Sequence, residues 1–137
     1  MSGLIRNLNI VFAAGCLGGL INSLVLYACG AFGVNAAFGV KLAPALTPLW
    51  LYPRLVWGGI WGFLFLLPVL QSSWFRRGLV LSLGPTLVQL LVVFPFKTSQ
   101  GYLGLELGLA TPLLVLFFNA VWGWSAAIWL KLGGVCP

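Results

Sequence analysis

From Ile10 to Val34 the chain reads IVFAAGCLGGLINSLVLYACGAFGV, 25 residues without a charged side chain. A bilayer interior offers backbone amides no water, so a segment this apolar has to satisfy its own N–H and C=O groups as a helix, and about 20 residues cross the hydrocarbon core. The run is long enough to do so. The rest of the chain is similar in kind. Over 137 residues, 61% are hydrophobic and 6% charged, where a soluble domain carries about a quarter charged residues. With short loops this length holds about four spans and no separate soluble domain. The expected fold class is an all-α integral membrane protein, a single domain over 1–137 built as a four-helix transmembrane bundle.

The first span is expected from Leu8 to Val34. It has no small-x-small cleavage signature and reads as a retained span. Thr47-Pro48 has the form of a helix start, with Thr as N-cap and Pro at the first position, where a missing N–H costs nothing. The second span then runs to about Leu70, with Pro53 and Pro68 expected to kink it or shift its ends. Trp74-Phe75-Arg76-Arg77 reads as an interfacial anchor. Span three is expected from Gly78 to Phe96, interrupted by Pro85 and ending at Pro95. Thr111-Pro112 repeats the cap chemistry for span four, which reaches Lys131 beside Trp129.

Four spans place both termini on one face. That face holds Arg6, Arg76, Arg77 and Lys131, and the other two loops hold Lys41, Arg54 and Lys97. The excess of one favours cytoplasmic termini in the cell (inner) membrane, and it also permits dual topology.

The two long connections share an ordered pattern. Residues 38–58 read FGVKLAPALTPLWLYPRLVWG and residues 103–123 read LGLELGLATPLLVLFFNAVWG. Each gives an apolar residue, Gly, an apolar residue, a charge and Leu, followed by Thr-Pro-Leu and Val-Trp-Gly. The expected architecture is two tandem two-helix repeats, about 8–72 and 78–132, related by a pseudo-twofold axis along the membrane normal. In this register Lys41 matches Glu106, the only acid in a chain with seven Lys and Arg. A lone carboxylate at an apolar boundary is costly, so an inter-repeat ion pair explains why one is kept. A solvated loop carboxylate and a proton- or cation-coupling role are the alternatives.

Asn22 follows Gly15, Gly18 and Gly19 in span one. Ser82, Thr86 and Gln89 fall on one face of span three, and Asn119 shares a face with Gly123, Ala126 and Ala127 in span four. These faces are expected to point inward, bringing Asn22, Gln89 and Asn119 to one depth as a central polar cluster supported by Thr86 and Ser82. Such residues serve either as interhelical hydrogen-bond glue or as the lining of a path. Gly15/Gly19 and Gly58/Gly62 have the small-x-x-x-small spacing of close helix crossings. Trp57-Gly58 and Trp122-Gly123 read as buried packing units, since each indole needs an N–H partner and each Gly leaves room for a ring.

The chain has no His and no Asp. It therefore lacks a dicarboxylate pair, a Ser-His-Asp set and an ordinary metal shell, and no catalytic residue, metal or cofactor is expected. Cys16 and Cys29, thirteen residues apart in one helix, cannot pair within it and read as small core residues. Cys136 reads as a free terminal thiol, with lipid attachment as the alternative. The scattered charge fits membrane topology and not nucleic-acid binding. The expected partners are the lipid bilayer and either further copies of the chain or a larger membrane complex. The expected function is an oligomeric channel or transporter-like protein for a small solute; a non-catalytic structural or assembly subunit is the alternative.

Overall fold

The computed structural model describes residues 2–67, 73–97, 101–105 and 107–133. Among these no β-strand occurs, and four helical segments are long and apolar enough to cross a membrane: Gly3–Ala31, Pro48–Leu66, Trp74–Phe96 and Thr111–Leu132.

Helix α1 (Ser2–Ala31) runs without proline until Gly33, at φ 78°, turns the chain in the left-handed conformation that glycine tolerates. One turn, α2 (Val34–Ala37), follows. Its buried Asn35 organises the connection: the side-chain amide donates to the Leu42 carbonyl at 2.7 Å, and the Asn35 carbonyl accepts from Phe38 and Val40. Helix α3 (Pro48–Trp61) starts as expected, with Thr47 Oγ1 accepting from the Trp50 N–H and Pro48 in the first turn. It tightens into a 3-10 stretch over Gly62–Leu66 and then stops. Leu67 is extended, at ψ 131°, which is the conformation Pro68 imposes on the residue before it. The described part of the second span ends at Leu66, and Pro68 and Leu70 lie outside the described residues.

Helix α4 (Trp74–Val88) begins a turn before the expected Gly78, capped by Ser73 Oγ, and carries Pro85 internally. From Gln89 to Lys97 it continues with wider π-helical turns. Helix α5 (Thr111–Leu132) corrects one expectation. Its N-cap is Ala110 and not Thr111, whose buried hydroxyl has no hydrogen-bond partner among the described residues. Thr111 N–H instead bonds back to Gly108, so the turn over 108–111 starts the helix without side-chain capping.

α1 and α5 form the centre of the bundle, with α3 packed on α1 and α4 on α5. Glycines set the approaches. A Cβ on Gly58 would lie 2.8 Å from the Gly15 carbonyl oxygen, and one on Gly78 would lie 2.7 Å from the Gly123 carbonyl. The core adds Val11, Ala14, Phe65, Leu81, Trp122, Ala126 and Leu130. Outward helix faces carry Val56, Leu87, Leu91 and Leu113, which suits a surface solvated by lipid.

The two adjacent arginines differ. Arg76 is exposed, as an interfacial anchor should be. Arg77, expected in the same role, is buried: it donates to the Phe65 carbonyl at 2.5 Å and lies over the Phe65 ring. It satisfies a carbonyl left open where the 3-10 stretch ends.

Candidate functional site

The outer helices α3 and α4 approach each other at Gly84, against which Leu64 and Trp61 lie. Beside that contact they flank a half-open cavity of about 430 Å³. Its floor is Gly19 and Asn22 of α1 with Asn119 and Trp122 of α5. One wall is Pro53, Arg54, Trp57 and Trp61 of α3, and the other is Pro85, Val88, Gln89 and Val93.

The expected polar cluster is brought together here. Asn22, Gln89 and Asn119 all line the cavity. Asn119 Nδ2 donates to Thr86 Oγ1 at 3.1 Å and to Gln89 Oε1 at 3.2 Å. Thr86 is buried beneath them and donates to the Ser82 carbonyl. Ser82 is also buried but bonds only within its helix, to Leu79, and lies outside the lining. The Asn22 amide donates to the Phe118 carbonyl, which joins α1 to α5.

Arg54, counted among the loop charges in the sequence, is six residues into α3 and lines this cavity. At 1.5 Å per residue it sits about 9 Å beyond the helix start. Its guanidinium is held on three sides. Nη2 donates to Asn22 Oδ1 at 2.5 Å, Nε donates to Ser23 Oγ at 2.8 Å, and the Trp50 ring lies 4.8 Å from the guanidinium carbon. The Ser23 hydroxyl donates in turn to the Gly19 carbonyl at 2.7 Å. All these partners are neutral, and no carboxylate side chain occurs among the described residues. Nor is there a group of three His, Cys, Asp or Glu side chains among them placed to hold a metal ion.

The matched tryptophans differ. Trp122 is 4% exposed, and its indole N–H is shared between the carbonyls of Gly15 at 3.1 Å and Gly58 at 3.3 Å, joining three helices. Trp57 is 56% exposed on the cavity wall, so the expectation that both are buried packing units holds only for Trp122. Gly15, Gly19, Gly58 and Gly62 meet at the α1–α3 crossing, and Gly123 meets Gly78. Cys16 and Cys29 are free and half-buried; Cys136 lies outside the described residues.

Lys41 is exposed, and Glu106 lies outside the described residues. Their two connections nevertheless meet. The Lys41 N–H donates to the Leu107 carbonyl at 2.8 Å, and Gly108 packs against Gly39 and Val40 so closely that a Cβ would collide. No protein-family model, curated protein or solved structure matches the chain significantly.

Proposed function

We propose that this chain is a small, non-enzymatic channel or transporter-like membrane protein, working as an oligomer, whose solute passes the cavity between α3 and α4. The observation that carries this reading is that Asn22, Gln89 and Asn119, from three different helices, line one cavity of about 430 Å³. These side chains bond across the helices, Asn119 to Gln89 and Asn22 to the Phe118 carbonyl, and still border open space. A volume within the roughly 300–1,000 Å³ of small-molecule sites, lined mainly by apolar groups with a few convergent polar ones, suits a solute.

The tandem repeat is part of this reading. In both proposed copies the glycine of the Val-Trp-Gly segment marks the close crossing of a helical hairpin, Gly58 on Gly15 and Gly123 on Gly78. A twofold relating the copies would exchange the α1–α5 interface with an α3–α4 interface. The cavity occupies that second position, and Trp57 faces it where Trp122 is buried in the first. The polar path is then the open half of an otherwise paired design. Cytoplasmic termini in the inner membrane follow from Arg6, Arg76 and Lys131 set against Lys41 and Lys97.

The test is flux. Purified protein in phosphatidylcholine vesicles is challenged with a panel of small neutral and anionic osmolytes, and volume recovery is followed by light scattering. Recovery faster than in protein-free vesicles, lost in Asn22→Leu with Gln89→Leu, supports the proposal. A folded protein that passes none of the panel sinks it and leaves the assembly-subunit reading, for which the exposed Trp57 wall would be the docking face.

A further inference from the structure

We infer that the cavity binds an organic monoanion, its oxyanion head on Arg54 and its apolar body against Trp57, Trp61 and Val88. The inference deepens the solute-path reading and rests on the same cavity.

A guanidinium has five N–H donors and keeps its charge under all ordinary conditions. In Arg54 two of them are used, by Asn22 Oδ1 and Ser23 Oγ, and no further hydrogen bond from this side chain is found among the described residues. Those acceptors orient the group but do not neutralise it. A charge placed within a membrane-spanning helix is costly, and such residues face a cavity or a partner of opposite sign. Here the side chain lines a cavity. The remaining N–H groups suit a carboxylate or phosphate, for which arginine's planar fork is the best protein donor. With one cationic group on the wall, the charge that balances it is a single negative one.

The ring of Trp50 and the hydrogen bonds to α1 fix the guanidinium before any ligand arrives, which lowers the entropic cost of binding. Beside it, Trp57, Trp61, Pro85 and Val88 give an apolar wall, and Gln89 with Asn119 provides a second polar point. This combination fits an amphiphilic anion and not a bare inorganic ion. Two sources share that chemistry: an anionic lipid entering from the bilayer, and a small aliphatic or aromatic acid from water.

The probes are octanoate and octyl sulfate, both monoanions at neutral pH, with octanol and octyltrimethylammonium as matched controls, titrated into the protein in phosphatidylcholine nanodiscs and read by tryptophan fluorescence. Both anions should bind saturably and at least about tenfold more tightly than octanol. Arg54→Gln should remove the preference, and Arg54→Lys should keep part of it. In a second arm, nanodiscs containing phosphatidylglycerol are analysed by native mass spectrometry. Retained phosphatidylglycerol that competes with octanoate assigns the lipid source; octanoate binding with no retained lipid assigns the aqueous acid. Equal binding of anions and octanol by the wild-type protein, together with no enrichment of phosphatidylglycerol over phosphatidylcholine, overturns the inference, and this comparison needs no variant to fold. Anion binding without flux would remove the channel reading alone, and flux of neutral osmolytes without anion preference would remove this inference alone.

Discussion

Arg54 donates through Nη2 to the side-chain oxygen of Asn22 at 2.5 Å, while the amide of Asn22 donates to the Phe118 carbonyl. One asparagine therefore ties α1 to both α3 and α5 at the cavity floor. Asn22→Leu leaves a guanidinium N–H and a buried carbonyl without those partners, and hydrogen bonds to charged groups contribute about 2 kcal/mol. Denaturation in detergent should show a loss of that order. A leucine variant as stable as the parent would mean that the network does not hold the helices.

Gly58→Ala and Gly78→Ala place a methyl group against backbone of the neighbouring helix, 2.8 Å from the Gly15 oxygen and 2.7 Å from the Gly123 carbonyl. Backbone cannot swing aside as a side chain can, so each helix pair has to separate. Overpacking of this kind costs about 1–3 kcal/mol. Gly3→Ala, with nothing within 4 Å of the new methyl, is the control and should leave the unfolding midpoint unchanged.

The adjacent arginines should respond unequally. Arg77 is buried against the Phe65 carbonyl and ring, whereas Arg76 is exposed. Arg77→Ala should lower stability by about 2 kcal/mol or more, and Arg76→Ala by less than about 0.5 kcal/mol. Equal effects in a thermal melt would contradict the cap assigned to Arg77.

The main-chain bond from Lys41 to Leu107 brings the Lys41 connection beside the residue that follows Glu106. If these two side chains form the inter-repeat pair, Lys41→Glu should destabilise the protein and adding Glu106→Lys should restore part of the loss, with a coupling of about 0.5–1 kcal/mol. A double mutant no more stable than the sum of the two single changes removes the pair.

Much of the bundle is legible in the sequence because its causes are local. Apolar length marks the spans, Thr47-Pro48 marks the start of α3, and the i, i+4, i+7 spacing of Ser82, Thr86 and Gln89 marks the inward face of α4. Gly15 and Gly58 announce a close crossing without saying which helix each meets. What is not legible depends on tertiary partners. Arg77 has the composition of an interfacial anchor beside Trp74 and Phe75, and only the position of the Phe65 carbonyl turns it inward. Trp57 and Trp122 share a sequence context, yet α5 packs on α1 whereas α3 leaves a gap before α4, so one ring is buried and the other lines a wall.

Arg54 is the instructive case. A helix beginning at Pro48 carries Arg54 nearly two turns inward, out of the loop and onto the wall of the polar cluster. The depth of a charge along its own helix, measured from the cap, was more informative than the sign balance of the loops.

The central claim is that the cavity between α3 and α4 is reached from water and is electropositive. In a background lacking Cys16, Cys29 and Cys136, cysteine is placed at Val88, on the cavity wall, or at Leu87, which is 56% exposed and outside the cavity lining. Each variant is treated in vesicles with membrane-impermeant thiosulfonates, one carrying a sulfonate and one a quaternary ammonium. The expected result is modification of Val88→Cys, faster with the sulfonate reagent, and no modification of Leu87→Cys. A Val88→Cys thiol as inert as Leu87→Cys, or one that reacts faster with the cation, would contradict the claim.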